Sequence, residues 1–539
     1  MVLFLQINMK FLQNKIINHN NYLQIPYMKK FCLLFIGLLV FSDSAAAQTK
    51  TKSSASTIAY EIKVNIKNLK DPECILTKYT WEKSYIVDTA KVDKNGSMVF
   101  KGNTPLEKGI YSIYSPKKQM MYFDLIINSS QKFSIETDTI DFYKNMKITG
   151  PKEQSDFIDF VIFMGSKNLD RSNFEKDIKA RKDPDSTKLM TEKNTQLFNE
   201  IKKYQLDYLS TNPDNYLSTI IRLQMDPEVP EGPKIKRNRQ DSSFQYDYFK
   251  AHFWDGIPLN DIGIINTNRL FSERLKRYYE KVILQNPDTM IKEADWLIGK
   301  TMPNKDNFRF VTHHLTYWTE TSKIMGTDAV FVHIIKKYYK TGQATWLDDK
   351  QLSKVTERAD ILEPLLIGKI VPDLELIDTA GIKTIQKLGM DTVNSSEKLT
   401  KLYYDNIGNL QKLFVNLKKI KADYTVLLFW DVDCGHCKKE VPIILETYHK
   451  LKNEGINVEV FAVYTQHEYD KWKKFVKENK LDWINVADGV HLHNLKKKFD
   501  IFSTPVIYLL DKDKKIKAKR IGAEQIEEVI RAFMKMEKK

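Results

Sequence analysis

From residue 58 to about 150 the chain alternates apolar and polar residues with a period of two, the pattern of strands with one buried face. Tyr60-Glu61-Ile62-Lys63-Val64-Asn65-Ile66, Tyr111-Ser112-Ile113-Tyr114 and Lys132-Phe133-Ser134-Ile135-Glu136-Thr137 are the clearest runs. Asp93-Lys94-Asn95-Gly96 reads as a hairpin turn between two such runs. Roughly seven or eight short strands predict a small β-sandwich or barrel. From about 151 to 365 the period turns helical. Phe157, Phe160, Val161 and Ile162 form one apolar stripe, and Leu206, Tyr208 and Leu209 end another. Asn212-Pro213-Asp214 and Asn286-Pro287-Asp288 each lead into a helix, since proline is tolerated in a first helical turn. Pro227, Pro230 and Pro233, in a polar stretch to Ser243, mark an exposed loop. From 366 to 539 apolar strands alternate with helical segments. The predicted domains are therefore 58–150 (β), 151–365 (all-α) and 366–539 (mixed).

The start of the chain has a different character. Lys29-Lys30 precedes an apolar run from Phe31 to Phe41, then Ala45-Ala46-Ala47. This is the charged, apolar and small-residue order of a secretory signal peptide, predicted at 28–47, with 1–27 as a doubtful upstream extension. The apolar run is too short to span a bilayer as a helix, so no stable membrane span is expected after cleavage. Cys32 lies at the start of that run and not at the cleavage point, so no lipid anchor is expected. The protein is expected in the periplasm, or otherwise outside the cytoplasm, of a Gram-negative bacterium.

The chain of 539 residues carries a formal net charge of +15. Such a charge can mark nucleic-acid or membrane binding. Here the lysines are dispersed among acids, as in Asp511-Lys512-Asp513-Lys514-Lys515. A solvated basic surface is expected, and no nucleic-acid partner. Downstream of the signal segment only Cys74, Cys434 and Cys437 remain. Cys74, within the strand pattern Cys74-Ile75-Leu76-Thr77, reads as a small buried hydrophobe.

The chemistry is concentrated at Cys434-Gly435-His436-Cys437. It follows the apolar strand Thr425-Val426-Leu427-Leu428-Phe429-Trp430 and opens a helix through Lys438 to Leu445. Strand, Cys-x-x-Cys, helix is the arrangement of a dithiol/disulfide redox centre. The first thiol sits over unpaired helix N-terminal amides, whose partial positive charge favours thiolate. Half of a zinc site is the competing reading, with His491 and His493 as the other ligands. No second cysteine pair exists to complete four ligands, so neither a metal nor another cofactor is expected.

These residues resemble the thioredoxin fold, and within it the TlpA/ResA-type extracytoplasmic thiol–disulfide oxidoreductases. The resemblance covers about 366–539. It rests on the Phe429-Trp430 strand end, the Cys434/Cys437 pair, Lys438-Lys439-Glu440, Pro442, and Ser503-Thr504-Pro505 ahead of Val506-Ile507-Tyr508-Leu509-Leu510-Asp511. Gly368 to Asp378 looks like the family's opening strand. The resemblance implies a cis Pro505 facing the disulfide, Thr504 offering its backbone to a client strand, and Glu440 handling protons at the second thiol. Cys434 is expected to be the attacking thiol and Cys437 the resolving one. His436 is expected to favour the Cys434 thiolate and raise the reduction potential, as the Gly-His pair does in protein disulfide isomerase.

Asp433 stands where thioredoxins usually have Trp, and with Asp431 it opposes thiolate formation. Leu428 takes the place of thioredoxin's buried Asp. A peroxiredoxin would carry Thr or Ser where Asp431 is, so peroxidase chemistry is not expected. A helix at Tyr469–Asn479 and a strand at Asp482–Val486 match an insert of TlpA-type proteins. A polar, Lys-rich insertion at about 382–415 has no readable purpose. The β and helical regions resemble domains of unknown function that accompany such exported thioredoxin-like proteins.

The expected architecture is multidomain, α+β and α/β: an N-terminal β-sandwich-like domain, a middle all-α domain and a C-terminal thioredoxin fold. The expected function is a periplasmic thiol–disulfide oxidoreductase that reduces, forms or isomerises client-protein disulfides, with a thiol electron donor or acceptor as its second partner. The alternative is a substrate-binding or chaperone-like exported protein whose helical domain holds clients, with the redox centre accessory. Under that alternative the aromatics of Phe244–Trp254 and Tyr317-Trp318 would line a groove; otherwise they are core.

Overall fold

The computed structural model describes residues 58–233, 239–393 and 395–537. The signal segment and Cys32 fall outside the described residues. No described helix is long and apolar enough to cross a membrane.

The period-two runs form eight strands: β1 (Tyr60–Lys67), β2 (Glu73–Thr80), β3 (Lys83–Lys91), β4 (Ser97–Gly102), β5 (Gly109–Ser115), β6 (Met120–Ile127), β7 (Lys132–Asp138) and β8 (Lys147–Thr149). They make two four-stranded sheets, β4-β1-β7-β8 and β3-β2-β5-β6. Ile62, Val64, Ile66, Leu76, Phe100, Ile113, Phe123 and Ile135 share one core between them, each worth about 1.5–3 kcal/mol of burial. Cys74 is fully buried there.

The Asp93–Gly96 turn is not the expected hairpin. β3 pairs with β2 and β4 pairs with β1, so the turn passes the chain from one sheet to the other. Asp93 Oδ1 accepts from the N–H groups of Asn95 and Ser97, each at 2.8 Å. Gly96 has φ +82°, and a Cβ there would lie 2.1 Å from the Ile66 carbonyl oxygen. Only glycine fits so sharp a corner.

The helices follow: α1 (Lys152–Arg181), α2 (Ser186–Thr211), α3 (Tyr216–Gln224), α4 (Arg239–His252), α5 (Leu270–Arg277), α6 (Pro287–Thr301), α7 (Lys305–Thr321), α8 (Thr327–Ile334) and α9 (Asp349–Leu362). Phe157 and Phe160 are buried, but Ile162 and Leu206 are exposed, so the real stripes are narrower than the sequence suggested. Pro287 opens α6, whereas Pro213 lies in the turn before α3. The exposed loop ends earlier than expected, because α4 begins at Arg239. Phe253 and Trp254 are core, whereas Tyr246 and Tyr317 are exposed.

The chain divides into two compact units inside this helical region. One runs to Val282 and includes Thr301–Asn307; the other comprises Ile283–Lys300 and Phe308–Lys539. In the first unit Asn266 joins sandwich to helices: its Nδ2 donates to the Lys108 carbonyl at 2.9 Å, and Thr80 Oγ1 donates to its Oδ1 at 3.0 Å.

The second unit contains a seven-stranded mixed sheet, built from β9 (Glu375–Asp378), β10 (Phe414–Asn416), β11 (Tyr424–Trp430), β12 (Val458–Tyr464), β13 (Ile484–Ala487), β14 (Val506–Asp511) and β15 (Ile516–Lys519). Its order is β10-β9-β13-β12-β11-β14-β15, with β11 parallel to β12 and antiparallel to β14. Every residue of β11 is buried. Val426, Leu428 and Trp430 face one core and Leu427 and Phe429 the other, as expected for a strand covered on both faces. Helices α13 (Gly435–Asn453) and α16 (Ile526–Glu537) supply Val441, Ile444, Ile526 and Ile530 to the first core. The insertion at 382–415 folds as α10 (Ile382–Lys387), α11 (Ser396–Asp405), α12 (Ile407–Leu410) and β10. Its Ile382, Ile385, Met390 and Leu410 are fully buried in the first core, and its β10 is the outermost strand of the sheet. α14 (Tyr469–Glu478) and β13 lie where the helix and strand of the insert were expected, and α15 (Leu495–Lys498) precedes β14.

Candidate redox site

Strand β11 ends at Trp430, and after three intervening residues Cys434 caps α13. Asp431 builds that turn: its carboxylate accepts from Asp433 N–H at 2.9 Å and its carbonyl from Cys434 N–H at 3.3 Å. Cys434 is the N-cap of α13, with φ −73° and ψ 120°. Its Sγ accepts the Cys437 N–H at 3.4 Å. A sulfur therefore takes the place an Asp or Ser oxygen fills at ordinary helix starts. An anion there gains from the charge-assisted bond and the helix dipole. A Cβ at Gly435 would meet nothing within 4 Å, so the approach to Cys434 beside it is open.

The two thiols differ. Burial would push the Cys434 thiol up, but hydrogen bonds from the Thr504 side chain and from the Cys437 and His436 N–H groups bring it below the ordinary cysteine value. Cys437 is 1% exposed, and burial pushes it up to about 12. Both are free thiols.

The Thr504-Pro505 bond is cis, and the Thr504 carbonyl accepts from the Cys434 thiol at 3.1 Å. Two distant segments thus meet at one sulfur. His436 is exposed and reaches Cys434 through its backbone N–H. Glu440 is half-buried, and its Oε2 accepts from Ala523 N–H at 3.2 Å. Leu428 is fully buried behind the site.

Sequence reasoning missed the charge partners. Lys471 on α14 binds the exposed Asp433 at 3.0 Å, countering the negative charge expected to oppose thiolate. Asp500, five residues before Pro505, has a side chain only 1% exposed and pairs with both Arg358 and Arg520. Phe502 is 81% exposed, with the Arg358 guanidinium 5.2 Å from its ring centre. No local motif signals these pairs, because Arg358 lies 142 residues from Asp500.

His491 and His493 lie elsewhere. His493 Nε2 sits 3.3 Å from Glu375 N and 3.2 Å from its carbonyl oxygen. Among the described residues no cluster of three His, Cys, Asp or Glu could hold a metal ion.

Residues 406–519 match the AhpC/TSA family. Thiol-disulfide oxidoreductase ResA of Bacillus cereus is 30% identical over 129 residues, covering 24% of this chain and 71% of that protein. The chain belongs to the ResA-type thiol–disulfide oxidoreductase family. Sporulation thiol-disulfide oxidoreductase A of Bacillus subtilis is 31% identical over 112 residues, 20% of this chain and 67% of that protein. Among solved structures, a domain of possible thiol-disulfide isomerase from Cytophaga hutchinsonii is 31% identical, covering 33% of this chain and 98% of that one, with a TM-score of 0.26. Residues 60–157 and 184–363 match two domains of unknown function, DUF4369 and DUF5106. This ResA-type enzyme therefore carries its thioredoxin-like domain behind a β-rich domain and a helical region.

Proposed function

We propose that Cys434 and Cys437 form the redox centre of an extracytoplasmic enzyme that exchanges electrons with disulfides of client proteins. The asymmetry of the two thiols carries this reading: one capped by helix amides and reachable, the other buried with its proton held.

In the reducing direction the Cys434 thiolate attacks one client sulfur. The client S–S bond breaks, a mixed disulfide forms, and a client thiolate leaves and takes a proton. Cys437 then loses its proton and attacks Cys434, releasing the second client thiol. Two electrons have passed to the client, and the enzyme holds a Cys434–Cys437 disulfide. A thiol donor reverses that last state, and the oxidising direction is the same path run backwards. Glu440, one turn beyond Cys437, receives the Cys437 proton. Thr504 presents its backbone to an extended client, a pairing tolerant of client sequence. His436 favours the thiolate and so raises the potential. The segment 28–47 supports a periplasmic site of action, where client disulfides persist.

Cys434→Ser is expected to abolish reduction of insulin. Cys437→Ser is expected to accumulate mixed disulfides, seen as adducts on non-reducing gels and cleared by dithiothreitol. Accumulation in Cys434→Ser alone would reverse the two roles.

A further inference from the structure

The first unit contains a cavity of about 700 Å³ that the redox chemistry does not use. Helix α2 presents Phe198, Ile201, Lys202 and Gln205 to it, a single i, i+3, i+4, i+7 stripe, and α4 presents Tyr246 and Phe249. Stripes of this kind normally close on one another; here they stand apart around open space. The size is that of a ligand pocket. Its buried uncharged polar groups are two amides; a third, Gln245, is exposed. Gln205 is 7% exposed and has no hydrogen-bond partner among the described residues, although it lies on the stripe that faces the cavity. Gln224, 6% exposed, donates its Nε2 to the Ile220 carbonyl at 3.0 Å and also lines the space. Both amides are open to the cavity, where a ligand able both to donate and to accept would replace the water on them.

The charges argue against an anion. Lys202 is paired with Glu228 and Asp226 with Arg277, and Lys281 is exposed to water at the mouth. Among neutral apolar ligands, a peptide is the one whose backbone offers an N–H and a C=O side by side.

We propose that this cavity binds an extended apolar peptide segment, with aromatic or aliphatic side chains among Phe198, Ile201 and Phe249 and a backbone amide on Gln205. The ligand class rests on the reading that the clients are proteins.

The test uses the full chain and a neutral, cysteine-free, fluorescein-labelled nonapeptide rich in Phe and Leu, followed by fluorescence anisotropy. Saturable binding is expected. Gln205→Leu, which keeps the volume, and Ile201→Trp, which fills it, are each expected to weaken binding by about tenfold or more. Reduction of cystine, a small disulfide with no apolar segment to seat, should stay unchanged in both variants. Gln205→Leu carries the test alone if the tryptophan variant does not fold. Absence of saturable binding, or binding that neither variant weakens, would overturn the proposal. So would displacement of the peptide by oleate at lower concentration than by the unlabelled peptide, which would make the site one for lipids. Because the probe holds no sulfur, these failures leave the redox reading untouched; lost insulin reduction in Cys434→Ser tests that separately.

Discussion

Arg358, on the last helix before the thioredoxin-like domain, grips both carboxylate oxygens of Asp500, with Nη2 3.0 Å from Oδ2. Asp500 is buried, and Arg520 also binds its Oδ2. A buried carboxylate is tolerable only when paired so fully. The segment it anchors runs through Phe502 to Thr504, whose carbonyl touches Cys434. A helical residue outside the thioredoxin-like domain therefore fixes the loop that flanks the Cys434 sulfur.

Arg358→Ala should loosen that loop without touching the cysteines. Arg520 still covers Asp500, so the loss of stability should be about 1–3 kcal/mol by urea unfolding, below the cost of a fully orphaned buried charge. KM for a protein disulfide should rise several-fold, while the rate of Cys434 alkylation by iodoacetamide stays within about twofold. Arg358→Lys should recover only part of the loss, because an ammonium cannot bind both oxygens. Equal falls in alkylation and client turnover would show that the pair instead shapes the cysteines.

The two thiols should titrate apart. Cys434 lies below the ordinary cysteine value and Cys437 near 12. Iodoacetamide at about pH 7 should label Cys434 alone by peptide mass spectrometry. The labelling rate should rise with pH and level off earlier than for a free cysteine. Cys437 should react only after unfolding. Labelling of both at similar rates in the native enzyme would contradict the asymmetry.

Asp124, in the β-sandwich, should make stability depend on pH. Burial raises its carboxyl to about 6, partly offset by the Ser112 hydroxyl. A folded value above the unfolded one means the native state holds the proton more tightly. This group's contribution is complete below about pH 4 and is lost as pH rises through about 6. The loss is about 3 kcal/mol for two units. Asp124→Asn, always neutral, should stabilise the protein on the order of 1–3 kcal/mol at about pH 8 and not at about pH 4. Thermal unfolding at both values decides it. An equal change at the two pH values would mean that packing, not ionisation, sets the effect.

The legible parts of this molecule are those set by short-range pattern. Alternation located the strands that form the sandwich, and Thr425–Trp430 gave an interior strand because burial on both faces makes the run almost wholly apolar. Cys434 and Cys437 were readable because strand, spacing and helix lie within one short segment. The Asp93–Gly96 corner was misread as a hairpin because turn chemistry fixes the reversal locally and says nothing of which strands then pair. The 382–415 insertion looked purely polar because its four core residues are spread among lysines. Asp431 and Asp433 looked like charges against the thiolate. The first is a turn builder and the second is paired with Lys471, a contact no sequence period encodes.

The central claim is that Cys434 and Cys437 interconvert as one dithiol/disulfide couple. Equilibrating the full chain in glutathione buffers of graded ratio, then quenching and counting free thiols by mass spectrometry, tests it most directly. The account predicts loss of two thiols together, both mapped to Cys434 and Cys437, along a two-electron curve in which a tenfold change in the equilibrium constant spans about 30 mV, with Cys74 unchanged. Thiols lost one at a time to stable glutathione adducts, or a pair that stays reduced across the whole range, would contradict it.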